Sequence, residues 1–132
     1  MLERLLVLEI IVLKGAVPGA LTTVRSKSGE WTAVWMGDGN AEATSPYEVE
    51  LEIDSIESWI DEADLGTFSG IKTYGGSTVV CGKISALYDD GMIALDLNPG
   101  TVMIEPDLSP RLQLGWHVCV VPASIEIFPT GI

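Results

Sequence analysis

Carboxylates are the side chains this sequence offers in quantity: 19 Asp and Glu against 7 Lys and Arg in 132 residues, a formal net charge of −12. A pair of them could in principle do general acid–base work, as in glycoside hydrolysis. That chemistry depends on their separation in space, and no pair is singled out by spacing. What the sequence does single out is a row. In "YEVELEID", residues 47–54, Tyr47, Val49, Leu51 and Ile53 alternate with Glu48, Glu50, Glu52 and Asp54. On a strand, residues two apart share a face at roughly 6–7 Å, so four carboxylates line one side and four apolar groups the other. The chemistry of such a row is electrostatic. It attracts a cationic surface, or with suitable geometry a divalent ion.

The remaining constellations are weaker. "GDGNAEA" sets Asp38, Asn40 and Glu42 at alternate positions like the start of a calcium-binding EF-hand loop. Ala43 then stands where that loop needs Gly, and Val49 where it needs a bidentate Glu, so a turn is expected. His117 stands two residues before Cys119, and with Cys81 makes three conceivable metal ligands or a Cys–His nucleophile pair. The spacing matches neither a metal knuckle nor a protease signature. Both cysteines lie in apolar runs, "STVVCGKI" and "WHVCVV", which predicts buried free thiols in a reducing cytoplasm, with a bridge between neighbouring strands as the alternative. "YGGSTVV" has the glycines of an anion-binding nest without the Lys or frame of a P-loop, and reads as a loop opening a strand. Neither a catalytic residue, a metal site nor a cofactor is expected.

The elements that must position these residues are short apolar runs punctuated by Gly, Pro, Asn and Asp, the pattern of a mainly β protein in one domain, residues 1–132. "STVVCGKISALY", "DDG" and "MIALDL" predict a hairpin closed by three turn residues with Gly last. About seven or eight strands of roughly five to seven residues are expected. One short helix is predicted near residues 56–64: Ser55 as N-cap, Ile56, Trp59, Ile60 and Ala63 at helical spacing, and Gly66 to end it. The N-terminal "LLVLEIIVL" is interrupted by Glu9 and closed by Lys14. It reads as buried strand and not as an export signal or a membrane span. Trp59 fits a buried face. Trp31, Trp35 and Trp116 read either as core or as an aromatic recognition site.

Many short strands and regular turns imply a small antiparallel β-barrel or sandwich. The order of a long strand, a hairpin and a late strand is similar to an OB-like barrel in architecture.

The charge is unevenly placed. Positions 28–71 hold eleven acids and no Lys or Arg until Lys72, so nearly all of the negative excess lies in one third of the chain. A general grip on nucleic-acid phosphates or an anionic membrane needs the opposite sign. The expected function is a non-catalytic binding or inhibitory module for a basic protein. Its surface is expected to comprise Glu48, Glu50, Glu52, Asp54, Glu57, Asp61 and Glu62, by analogy with immunity proteins and nucleic-acid mimics. A plain solvated face, or charge guarding an exposed edge strand, explains the same residues without a partner. The rival function is an assembly subunit that self-associates through the edges of its N-terminal and C-terminal strands.

Overall fold

The computed structural model describes residues 7–53, 55–60, 65–97, 100–105 and 112–130, and among them finds eleven strands and no helix. In chain order these are β1 (Val7–Val12), β2 (Leu21–Ser26), β3 (Gly29–Trp35), β4 (Pro46–Ile53), β5 (Ile56–Ile60), β6 (Gly70–Tyr74), β7 (Ser77–Leu87), β8 (Ile93–Asp96), β9 (Thr101–Ile104), β10 (His117–Pro122) and β11 (Ile125–Pro129). The protein is mainly β, as its alternating apolar runs predict. No described helix is long and apolar enough to cross a membrane.

Five strands close into a barrel in the order β1-β2-β3-β11-β4, with β4 returning to β1. All barrel pairings are antiparallel except β3 with β11, where Val34 and Trp35 face Glu126 and Ile127 in parallel register. The last strand therefore completes a barrel begun by the first four, across an excursion of some 70 residues. That excursion forms a six-stranded sheet in which β5, β10, β7, β8 and β9 lie side by side and β6 pairs with β7.

Period-two alternation decides what enters the core. From the barrel come Ile10, Val12, Val24, Trp31, Trp35, Val49, Leu51, Ile125 and Ile127, all buried. The second sheet adds Val80, Ile84, Leu95, Ile104 and Val120 to the same cluster. Trp31 and Trp35 share a face, and that face points into this core. Their indole N–H groups donate to Ser26 Oγ at 3.0 Å and to the Gly39 carbonyl at 2.7 Å, which satisfies the one polar atom each carries inward. The opposite face of the second sheet buries Val79, Cys81 and Cys119 beneath Ile60, Leu65 and Phe68.

The two sheets are also joined through side chains. The Ser28 hydroxyl donates to the Ile71 carbonyl at 2.9 Å and accepts from the Ile71 N–H at 3.1 Å. The Thr73 hydroxyl donates to the Glu30 carbonyl at 2.8 Å. Hydroxyls thus satisfy backbone groups across the junction in both directions, Ser28 those of Ile71 on β6 and Thr73 that of Glu30 on β3.

The turns follow their residues. Asp89–Asp90–Gly91 closes the β7–β8 hairpin, with Gly91 at φ 91° and Met92 N–H held by Asp90 Oδ1 at 3.1 Å. Gly75 and Gly76, both at positive φ, form the two-residue link between Tyr74 and Ser77. They make a tight hairpin turn that opens β7, at the place where a loop opening a strand was expected.

The helix expected near residues 56–64 is the main correction. Residues 56–60 form β5, and 61–64 lie outside the described residues. The register of β5 on β10 shifts, with Val121 opposite Ser58 and Pro122 opposite Ile56, so Glu57 is an extra bulged residue. A bulge brings residues three apart onto one face. Ile56 and Trp59 accordingly join the main core while Ile60 faces the other cluster. Spacing that suggested a helix is here the signature of a bulged strand.

Candidate protein-binding face

β4 positions the carboxylate row. Its odd residues fill the barrel, Val49 and Leu51 completely, so its even residues must face outward: Glu48 and Glu52 are exposed and Glu50 is half-buried. The strand is paired on both sides, to β1 and to β11. It is therefore no edge, and the row does not guard one.

Register then enlarges the row. Glu9 of β1 lies directly opposite Glu48, and Glu126 of β11 lies directly opposite Glu52. Directly opposed side chains on antiparallel strands point the same way, with Cβ atoms about 4.5–5.5 Å apart, and like charges so placed are destabilising. Five carboxylates on three adjacent strands thus share the outside of the barrel. Among the described residues, neither Glu9, Glu48, Glu52 nor Glu126 forms an ion pair. Arg25 is the cation that register carries alongside β1, opposite Ile11. Its guanidinium is turned to Glu30 on β3, at 2.7 Å in an exposed pair.

Glu9 and Glu126 were missed by sequence reasoning. Each is a lone acid between two apolar residues, in "LEI" and "IEI", and that alternation already marks it as outward-facing. Which strand it would stand beside depends on pairing between distant parts of the chain, and alternation does not encode that.

The other expected members separate from the row. Asp54, Asp61 and Glu62 lie outside the described residues. Glu57 is exposed but belongs to the second sheet, at the bulge of β5. It lines a groove of about 180 Å³ together with Leu21, Thr32, Val34, Thr78 and Ser124.

Cys81 and Cys119 face each other across β7 and β10, are fully buried, and form a disulfide. The expected free thiols are therefore corrected. Paired in this register, the two side chains emerge side by side on the same face of the sheet, close enough for their sulfurs to bond. The bridge also removes the thiolates that a metal site or a Cys–His nucleophile would need. His117 is close by, with Nε2 2.6 Å from the Phe68 carbonyl, an N–H donating to an oxygen. Asp38, Asn40 and Glu42 sit on or beside an exposed turn, and no described group of His, Cys, Asp and Glu could hold a metal ion.

Trp116 is 46% exposed and Leu114 62% exposed. Trp116 lines a shallow depression with Trp59, Ile60, His117 and Val118. Of the three tryptophans read as core or recognition site, Trp31 and Trp35 are core and Trp116 is at the surface.

Compared with known proteins, the chain matches no protein family, no curated protein and no solved structure.

Proposed function

We propose that the protein is a non-catalytic binding or inhibitory module whose acidic barrel face, Glu9, Glu48, Glu50, Glu52 and Glu126, receives a basic protein partner. The observation that carries this reading is the pair of directly opposed carboxylates, Glu9 with Glu48 and Glu52 with Glu126. Solubility is served equally well by alternating signs, and two face-to-face repulsions cost stability in the isolated protein. A cationic surface relieves that repulsion on binding and is steered in by the same field. Edge protection, the plainest alternative, does not apply to a strand paired on both sides. A basic catalytic cleft, such as that of a nuclease, is the kind of partner the field suits, by analogy with immunity proteins and nucleic-acid mimics.

The cytoplasmic location expected from free thiols loses its argument with the Cys81–Cys119 bridge. A disulfide favours an oxidising compartment, where we place the encounter. The binding reading is tested by retention of a basic protein at low salt, and by its loss when Glu50→Lys and Glu52→Lys are introduced together.

One observation favours self-association as a second reading. β1 and β11 are hydrogen-bonded on both sides within the barrel, so that reading moves from the terminal strands to the apolar surface around Trp116 and Leu114. Sedimentation at rising concentration tests it. A size increase abolished by Trp116→Ser supports self-association, and a constant monomer mass argues against it.

A further inference from the structure

We propose that the groove beside Glu57 is a seat for an arginine side chain of the partner; this rests on the acidic-face reading and names a specific anchor within it. The groove opens where that face ends. Val34, one of its walls, is the register partner of Glu126. Its volume is about 180 Å³. That is room for one long side chain, and below the roughly 300–1,000 Å³ of a drug-sized ligand site.

The lining selects the chemistry. Leu21, 70% exposed, and Val34 offer apolar surface along which the methylenes of a long cationic side chain can pack. Glu57 supplies the carboxylate. It is the extra residue of a β-bulge, a device that re-aims a side chain out of the regular alternation. Among the described residues Glu57 makes no ion pair, and no Lys or Arg lines the groove. The Thr32 and Thr78 hydroxyls are bonded to each other at 3.2 Å and form a fixed wall. The Ser124 hydroxyl is an acceptor with no hydrogen bond among the described residues. An apolar channel, a carboxylate and a free hydroxyl match a planar guanidinium, whose five donors spread over several acceptors, better than the compact ammonium of lysine. An anionic ligand would meet only like charge.

The test uses the full chain, isotope-labelled, titrated with N-acetyl-arginine amide and, as a neutral isostere, N-acetyl-citrulline amide. The expected result is saturable amide shifts at Thr32, Val34, Thr78 and Ser124 with the arginine compound alone. Glu57→Gln, at an exposed site that leaves the core intact, should weaken that binding about threefold to fivefold, the range an exposed ion pair supports. Glu48→Lys/Glu52→Lys should leave the groove shifts in place. Three outcomes overturn the proposal: no saturable shifts, equal shifts from both compounds, or shifts centred on β4 that ignore Glu57→Gln. None of these decides the acidic-face reading, which is judged separately by partner retention. Conversely, a filled groove with no charge-dependent partner would remove the face reading and keep the seat.

Discussion

Reversing one charge in a directly opposed pair should stabilise the isolated protein, which is unusual for a surface substitution. Glu48→Lys places an ammonium across from Glu9 on the outside of the barrel. At about 5 Å in a water-like dielectric, two unit charges interact by roughly 0.8 kcal/mol before screening. With the Debye length of about 8 Å at physiological salt, roughly half of that remains. Changing the sign counts the interaction twice, from repulsion to attraction, for a gain of about 0.8 kcal/mol. The same reasoning gives about 1.4 kcal/mol near 0.01 M salt and about 0.3 kcal/mol near 1 M. For a chain of this size each kcal/mol is worth roughly 4 °C in Tm, so the shift should be about +6 °C at low salt and about +1 °C at high salt. Thermal unfolding followed by circular dichroism at three ionic strengths measures it. Glu57→Lys is the control, since Glu57 has no register partner, and should move Tm by about a degree or less. A Glu48→Lys protein that is no more stable at low salt, or whose gain ignores salt, would refute the view that these carboxylates repel one another.

Four further outcomes follow from the packing. Gly82→Ala in β7 would place a Cβ 2.5 Å from the Asp96 carbonyl oxygen, and backbone cannot swing away as a side-chain tip can. It should cost about 1–3 kcal/mol in a denaturant titration, and wild-type stability would show that β8 can shift. Replacing Cys81 and Cys119 together by Ala removes a link across a sequence separation of 38. The chain-entropy argument predicts a loss of about 3–4 kcal/mol, and equal denaturant midpoints for the wild type and this variant would contradict it. Trp116→Phe should remove most of the iodide-quenchable tryptophan fluorescence with little change in stability. Trp31→Ala, at a fully buried site, should cost about 3–5 kcal/mol.

The parts of the fold legible in the sequence are those set by local rules. The outward row of β4, the "DDG" hairpin and the mainly β class follow from alternation and turn chemistry, and a barrel is among the architectures they imply. What was not legible depends on distant pairing. Closure of the barrel by β11 brings Glu126 to Glu52, and β1 brings Glu9 to Glu48, through contacts between strands far apart in the chain. The disulfide is hidden for the same reason, since the two cysteines meet only through the β7–β10 register. β5 failed differently. Its bulge converts strand periodicity into apparent helix periodicity, and period alone cannot separate the two. Undercounting strands, eight at most against the eleven described, came from segments such as "LTTVRS" and "GIKTY", whose polar residues interrupt the apolar alternation; Thr22 is even buried, its hydroxyl donating to the Lys14 carbonyl.

The measurement closest to the central claim is affinity capture from an extract of the native cell, at low and at high salt. Wild type and the Glu50→Lys/Glu52→Lys variant would be compared side by side, with both proteins first shown to be folded. The account predicts a basic protein retained by wild type at low salt, released at high salt, and not retained by the variant. Retention of the same protein by both, or by wild type at every salt concentration, would contradict a charge-driven face. It would leave the carboxylate row as solvation alone.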